Sequence, residues 1–111
     1  MNSSYASIEK FKKQALRDEH LLEFAPKLHG YKYVDELQDM YEGSFVRWIH
    51  LKRRSLTNGA FLLSVDLRDD GVYLLLKGSN GKIFSLWADE CLLFQKIPED
   101  EKLFLTASQA V

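Results

Sequence analysis

The chain has 111 residues, of which 46% are hydrophobic and 28% are charged, and its formal net charge is −1 at pH 7. This composition excludes a fully disordered chain, and we expect residues 1–111 to form a single domain. The small net charge excludes a global electrostatic field that would draw the protein to nucleic acid or to an anionic membrane.

Cysteine content and hydropathy set an expectation for the compartment. Cys91 is the only cysteine, which excludes an intrachain disulfide and suits a reducing environment. No apolar stretch approaches the ~20 residues that span a bilayer, and the N-terminus lacks the apolar core of a secretory signal. We therefore expect an intracellular protein, cytoplasmic or nuclear, that does not contact a membrane.

The N-terminal part, residues 7–41, is predicted to be mainly helical. Ser7 is a candidate N-cap, and the apolar residues that follow recur at helical spacing with charged residues on the other side. This pattern predicts an amphipathic helix to about Phe24, which ends before Pro26. Core packing is the main expectation for its apolar stripe, with partner or membrane binding as the alternative. Residues 33–40 suit either a short helix or an acidic loop.

Residues 44–97 contain three turn dipeptides, each between short apolar runs: Asn58-Gly59, Asp70-Gly71 and Asn80-Gly81. Asn-Gly and Asp-Gly tolerate the positive φ angles of tight hairpin turns. Their spacing predicts an antiparallel meander of five strands. The predicted strands cover residues 44–52, 61–68, 72–77, 82–88 and 91–96. The third strand is apolar on both faces, so we expect it to be covered on both sides.

The second strand has the clearest alternation and predicts that Phe61, Leu63, Val65 and Leu67 face the core. The predicted fold class is α+β, with the N-terminal amphipathic helix packed on a five-stranded antiparallel meander curled into a small barrel. Residues 98–111 admit two structures. Pro98 and the acidic residues after it favour a short C-terminal helix, whereas the apolar run at 103–105 suits an added edge strand.

Five short strands with tight turns after a longer first loop resemble SH3-like or Tudor-like small barrels over residues 44–97. The resemblance implies the curled five-strand architecture, although the acidic and aromatic motifs of peptide-binding SH3 domains are absent. A second resemblance depends on the run Gly43-Ser44-x-Val46-Arg47-Trp48-Ile49, followed by Asn58-Gly59 and x-Tyr73-Leu74-Leu75. This pattern is similar to small proteins of large DNA viruses.

No residue pattern predicts an enzyme, a metal site or a cofactor site. The three histidines are isolated in the sequence and form no ligand pair. Cys91 follows two acidic residues and precedes an apolar run, which suits a buried thiol rather than a nucleophile. The paired carboxylates at 69–70 and 89–90 lie at predicted turns, where such residues are expected. We therefore expect no catalytic activity and no cofactor.

One cluster is a candidate for partner binding, at the end of the first predicted strand. Lys52-Arg53-Arg54 opens the loop after this strand, Arg47 and Trp48 lie upstream, and Trp87 lies on a later strand. Basic side chains beside exposed aromatic rings suit a phosphate backbone with stacked bases. The alternative is a solvated loop that guards a strand edge.

The sequence therefore predicts a non-enzymatic macromolecular binding module. Interaction with a protein partner, as an adaptor or inhibitor, is the first hypothesis. Nucleic-acid binding through Arg47 and the 52–54 loop is the second, and a small enzyme is the third. The sequence leaves the oligomeric state open; a homodimer is one way to bury large apolar side chains in excess of what one helix covers. These side chains are Trp48, Tyr73, Ile83 and Trp87.

Overall fold

The structure, a computed structural model, describes residues 23–98, which form one six-stranded antiparallel sheet. The strands are β1 (Tyr31–Tyr33), β2 (Phe45–His50), β3 (Ala60–Arg68), β4 (Gly71–Lys77), β5 (Ile83–Trp87) and β6 (Cys91–Lys96). Short 3-10 turns occupy Ala25–Leu28, Leu37–Asp39 and Ala88–Glu90. Within residues 23–98 there is no α-helix.

The strand order is β1-β6-β2-β3-β4-β5, so the predicted five-stranded meander is wrong. The 3-10 turn at Ala88–Glu90 redirects the chain, and β6 pairs with β2 instead of β5. Leu51 N–H donates to the Glu90 carbonyl at 2.9 Å, and the His50 and Glu90 side chains meet at 3.0 Å, which holds this crossing in place. Neither β1 nor β5 has a strand on its outer side within the described range, so the sheet is not a closed barrel.

The predicted α+β class with a packed helix is also wrong, because the described residues form a sheet connected by 3-10 turns only. The N-terminal helix was predicted mostly on residues outside the described range, and Glu23 and Phe24 form a turn. The short helix predicted at 33–40 is reduced to the turn at Leu37–Asp39. Val34 N–H donates to the Leu93 carbonyl at 2.8 Å, so the chain continues alongside β6 rather than coiling. The predicted C-terminal helix, which begins at Pro98, lies outside the described residues apart from Pro98 itself.

The main core lies on the inner face of the curled sheet. Alternate residues of β2, β3, β4 and β6 point to this face, as a period of two requires. The segment between β1 and β2 covers one side of it. The buried residues of this core are Val34, Met40, Val46, Trp48, Ala60, Leu62, Leu74, Leu76, Ala88, Cys91 and Leu93.

A β-bulge in β3 explains why the predicted facing of this strand is wrong at its start. The register shifts between Leu62 and Ser64, so one extra residue reverses the alternation along the strand. Leu62 is buried before the bulge, and Val65 packs on the core after it. Phe61 is consequently exposed on the outer face, where the sequence predicts a core residue.

Residues 23–98 cover the outer face at one end only. Ile49, Leu92 and Phe94 form a second buried cluster there, under Phe24, which precedes the first 3-10 turn, and Leu28, which ends it. The sequence predicts that both faces of the strand at 72–77 are covered. Residues 23–98 do not cover the outer face of this strand, because Leu75 is exposed there. The uncovered part of the outer face holds most of the exposed large side chains of the described residues.

Candidate functional site

The uncovered outer face contains a groove lined by aromatic rings, here called the aromatic groove. Tyr31, Tyr41, Phe45 and Phe61 line it, together with Lys96, Ile97 and Pro98, and its volume is about 530 Å³. Tyr41 and Phe61 are 44% and 48% exposed, which is high for such large apolar side chains. A second cleft of about 600 Å³ continues on the other side of Phe61 toward Lys77.

Strand register places the groove residues that belong to strands in one row across the sheet, which continues to Lys77. Tyr31 pairs with Lys96, Phe45 pairs with Phe61, and Phe61 pairs with Lys77. Four strand spacings separate β1 from β4, which gives a row of about 19 Å. A peptide of about six extended residues has the same length.

Gly59 allows the Phe45 ring to pack against the start of β3. Its φ is +103°, and a Cβ at this position would lie 2.6 Å from the Phe45 ring and 2.8 Å from the Val46 carbonyl oxygen. Phe45 then contacts Phe61 edge-to-face, with ring centroids 5.0 Å apart. Part of the groove is therefore determined by the Asn58-Gly59 dipeptide, which the sequence identifies only as a turn.

Tyr41 is positioned by a buried amide on the opposite side of the sheet. Gln95 Oε1 accepts hydrogen bonds from Ser44 Oγ at 2.9 Å and from Tyr41 N–H at 3.3 Å, and Gln95 Nε2 donates to the Asp39 carbonyl at 3.1 Å. Gln95 and Ser44 are buried. Because one side chain bonds three points of the 39–44 segment, it fixes that segment, and with it Tyr41, against β6.

Of the six side chains proposed from the sequence as partner-binding, Arg47 and Trp48 have internal contacts. Arg47 Nε donates to the Thr57 carbonyl and an Arg47 terminal nitrogen donates to the Lys27 carbonyl, both at 2.9 Å. Its guanidinium also lies 5.9 Å from the centre of the Tyr31 ring. Trp48 is only 8% exposed and belongs to the inner core. Trp48 is therefore buried, and the half-buried Arg47 guanidinium is engaged by two backbone carbonyl groups.

The other three basic candidates, Lys52, Arg53 and Arg54, are exposed in the loop after β2. His50 supports the start of this loop, because Lys52 N–H donates a hydrogen bond to His50 Nδ1 at 3.2 Å. The loop follows the last residue of β2, whereas Phe45 of the aromatic groove is the first. Five strand residues separate the two sites, a distance of about 17 Å. The three exposed cations of this loop and the aromatic groove are thus at opposite ends of β2.

Trp87 lies in a separate aromatic stack near the β3–β4 turn. Its ring is parallel to that of Tyr73 with centroids 6.3 Å apart, and Trp87 Nε1 donates to Asp89 Oδ2 at 2.8 Å. Arg68 covers Tyr73 at 4.4 Å. The Tyr73 hydroxyl donates to Asp70 at 2.9 Å, and this hydrogen bond raises the pKa of Tyr73.

Two further findings concern chemistry and membranes. No group of three or more histidine, cysteine or acidic side chains that could hold a metal ion occurs between residues 23 and 98. Cys91 is buried in the inner core. No helix in the described part of the chain is long and apolar enough to cross a membrane.

Comparison of the chain with protein-family models, curated proteins and solved structures finds no match. The geometry of the described residues is therefore the basis for a functional proposal.

The sequence interpretation did not identify the aromatic groove. Tyr31 and Tyr41 lie within residues 7–41, for which the sequence predicts mainly helix, and Phe61 lies on a face that it predicts to be internal. No sequence signal pairs Phe45 with Phe61, because both lie at the beginning of a strand and a simple hairpin brings the beginning of one strand beside the end of the next.

Proposed function

We propose that this protein is a non-enzymatic binding module that binds a protein partner by holding a short, extended peptide segment in the aromatic groove. The observation that carries the proposal is that four aromatic rings line one groove on the outer face: Tyr31, Phe45 and Phe61 from strands, and Tyr41 from the segment before β2. Aromatic side chains dominate the binding energy of protein interfaces, because they bury a large area at little conformational cost.

Rigidity of the groove supports the proposal. Phe45 is held by Gly59 and Phe61, and Tyr41 is held by the buried Gln95. A preformed site loses little conformational entropy on binding, so more of its contact energy is available as affinity. The length of the row matches about six extended residues, which is the size of a linear peptide motif.

Charge at the groove suggests the composition of the peptide. Lys96 lines the groove itself, and Lys77 lines the cleft beyond Phe61. Glu42 is the acidic residue that lines this second cleft. We infer a segment with aromatic or aliphatic anchors and at least one acidic residue, because opposite charges at a rim improve both specificity and association rate.

A second candidate function is binding of single-stranded nucleic acid on the same row. The specific observation in its favour is that Lys96 and Lys77 flank Phe45 and Phe61, as in surfaces where bases stack and phosphates contact lysines. The basic loop at 52–54 is less favoured as the nucleic-acid site than the sequence suggests, because Trp48 is buried and Arg47 is bonded to carbonyl groups.

Selection from a phage-displayed library of random linear peptides tests the proposal. We expect enriched peptides that carry apolar anchors beside an acidic residue, and we expect Phe61→Ala to weaken their binding at least tenfold. Leu67→Ala is the matched control, because Leu67 is an exposed apolar residue on the same strand but outside the groove. Tyr41→Ala is a second groove variant, needed because Phe61 also contacts Phe45.

Two results would contradict the proposal. The first is that no peptide is enriched, and the second is that the enriched peptides bind Phe61→Ala and Tyr41→Ala as tightly as the wild type. Titration with a fluorescent single-stranded oligonucleotide tests the second candidate in parallel. Binding that falls steeply with salt, and that is lost in Lys77→Glu with Lys96→Glu, would favour nucleic acid.

A further inference from the structure

We propose that two copies of this chain pair along the edge of β5 that has no neighbouring strand among residues 23–98, in antiparallel orientation about a two-fold axis at Ser85. This inference is independent of the proposed function, because β5 contributes no side chain to the lining of the aromatic groove. The occupant of the edge is a second copy of the same chain, and the contact is continuous β-sheet hydrogen bonding.

The two edges of the sheet differ in the features that prevent edge pairing. β1 has only three residues and carries the charged Lys32 at its centre. β5 has five residues, from Ile83 to Trp87, and none of them is charged or is proline. Short strands, lysines and prolines are the usual protection of a sheet edge, so β1 is protected and β5 is not. Every second residue of β5 also directs its N–H and C=O away from β4.

The side chains of β5 add to the exposed edge. Ile83 is 59% exposed, and Phe84 and Trp87 are also among the exposed large hydrophobic residues. Ile83 and Trp87 lie on the outer face, whereas Phe84 turns to the inner side and contacts Trp48, with ring centroids 6.0 Å apart. An exposed strand that is apolar on both faces gains by pairing, because a neighbouring strand covers both sets of side chains.

The sequence of β5 is complementary to itself when two copies run antiparallel. A two-fold axis at Ser85 places Ile83 opposite Trp87 on one face and Phe84 opposite Leu86 on the other. Each pair joins an aromatic to an aliphatic side chain, which is a favourable cross-strand combination. The pairing is isologous, so it closes as a dimer and does not propagate.

Charge at the two ends of β5 selects the antiparallel orientation. Lys82 precedes the strand, and Asp89 and Glu90 follow it. In the antiparallel arrangement the Lys82 end of one copy lies beside the acidic end of the other. A parallel arrangement would instead place like charges side by side, which is unfavourable.

The size of this contact sets the expected affinity. Pairing of two five-residue strands buries less than the ~1,200 Å² typical of stable complexes, so the dimer is of the weak and reversible class. We expect a dissociation constant on the order of 10 µM or weaker. Measurements on the full chain must therefore extend to several times that concentration.

Sedimentation velocity of the full chain with complementary charge variants tests the proposal. Ser85 is exposed and lies on the proposed axis, so Ser85→Lys and Ser85→Glu each place two like charges opposite one another. We expect each variant alone to remain monomeric where the wild type dimerises, and an equimolar mixture to regain dimers. Ser79→Lys is the control, because Ser79 is exposed in the β4–β5 turn and outside the strand. It should dimerise as the wild type does.

Three outcomes would overturn the inference. A wild-type chain that stays monomeric at all concentrations would show that the edge is not used by a second copy, for example because another segment of the chain occupies it. Dimers that persist in both variants would place the contact elsewhere. A mixture that does not regain dimers would exclude the axis at Ser85. None of these outcomes affects peptide selection on the aromatic groove, so the two proposals can fail separately.

Discussion

Replacement of Gln95 by leucine is expected to destabilise the protein by about 2–3 kcal/mol. Gln95 is fully buried and satisfies Ser44 Oγ, Tyr41 N–H and the Asp39 carbonyl. Leucine has a similar volume but leaves these groups without a partner. A buried group without a hydrogen-bond partner costs about 1–3 kcal/mol, and this applies to Ser44 Oγ. The other two groups are partly buried and water can reach them, so each adds less.

Urea denaturation followed by tryptophan fluorescence measures this change. With an m value of about 1–2 kcal/mol/M, we expect the midpoint of Gln95→Leu to fall by about 1–3 M with m unchanged. Gln38→Leu is the matched control, because Gln38 is exposed. Among the described residues its side chain bonds only Glu36, with Nε2 donating to the carboxylate at 2.6 Å. Its midpoint should stay close to that of the wild type.

A double-mutant cycle with Ser44 tests the physical reason. Ser44→Ala removes the hydroxyl that Gln95→Leu leaves buried, so the double variant should be less destabilised than the sum of the two single variants by about 1 kcal/mol. A loss below about 0.5 kcal/mol in Gln95→Leu, or strict additivity with Ser44→Ala, would refute this account of the 39–44 segment. Peptide affinity should fall in Gln95→Leu as well, because Tyr41 is no longer held.

Three further predictions concern the rest of the sheet. Gly71→Ala should destabilise the protein by about 1–3 kcal/mol in urea denaturation, because its φ is +149° and a Cβ would overlap the Trp87 indole nitrogen. Arg47→Met should cost about 1–2 kcal/mol, and Arg47→Lys should not restore it, since lysine cannot bond two carbonyls with one planar group. Tyr73 should ionise above the usual tyrosine pKa in an ultraviolet titration, and Asp70→Asn should lower that pKa.

Each of these predictions has a contradicting result. Gly81→Ala is the control for Gly71, because its φ of +82° strains alanine but nothing lies within 4 Å of the added Cβ. Equal losses at the two glycines would exclude steric overlap as the reason. Wild-type stability in Arg47→Lys would show that the positive charge alone, and not the bonding of two carbonyls by one planar group, explains the contribution of Arg47. Because folding raises the pKa of Tyr73, the Asp70 hydrogen bond stabilises the folded state at pH values below the pKa of unfolded tyrosine. This stabilisation is lost as the pH rises through the pKa of Tyr73 in the folded state. Ionisation at an unchanged pH in Asp70→Asn would exclude the Asp70 hydrogen bond as the cause.

The strands themselves could largely be predicted from the sequence. The last strand was expected at 91–96 and is β6 at Cys91–Lys96. The Asn80-Gly81 turn is closed by a hydrogen bond of 2.9 Å from Gly78 N–H to the Lys82 carbonyl. Local turn chemistry and β-propensity determine these features, and both can be assessed from a single sequence.

The pairing of the strands was not predictable, because it depends on contacts distant in sequence. β6 pairs with β2 across more than forty residues, and one 3-10 turn at Ala88–Glu90 decides this choice. The bulge after Leu62 likewise depends on the register with β4, and it moved Phe61 from the predicted core to the surface. The candidate site is a row across five strands, so it could not be predicted from an incorrect strand order.

The measurement that tests the proposed site most directly is the nuclear magnetic resonance titration of isotope-labelled protein with a peptide selected on the wild type. We expect the largest chemical-shift changes at Tyr41, Gly43, Phe45 and Phe61, with smaller changes elsewhere in the sheet. Changes that centre on the 52–54 loop or on the Tyr73–Trp87 stack would contradict the assignment of the aromatic groove as the binding site.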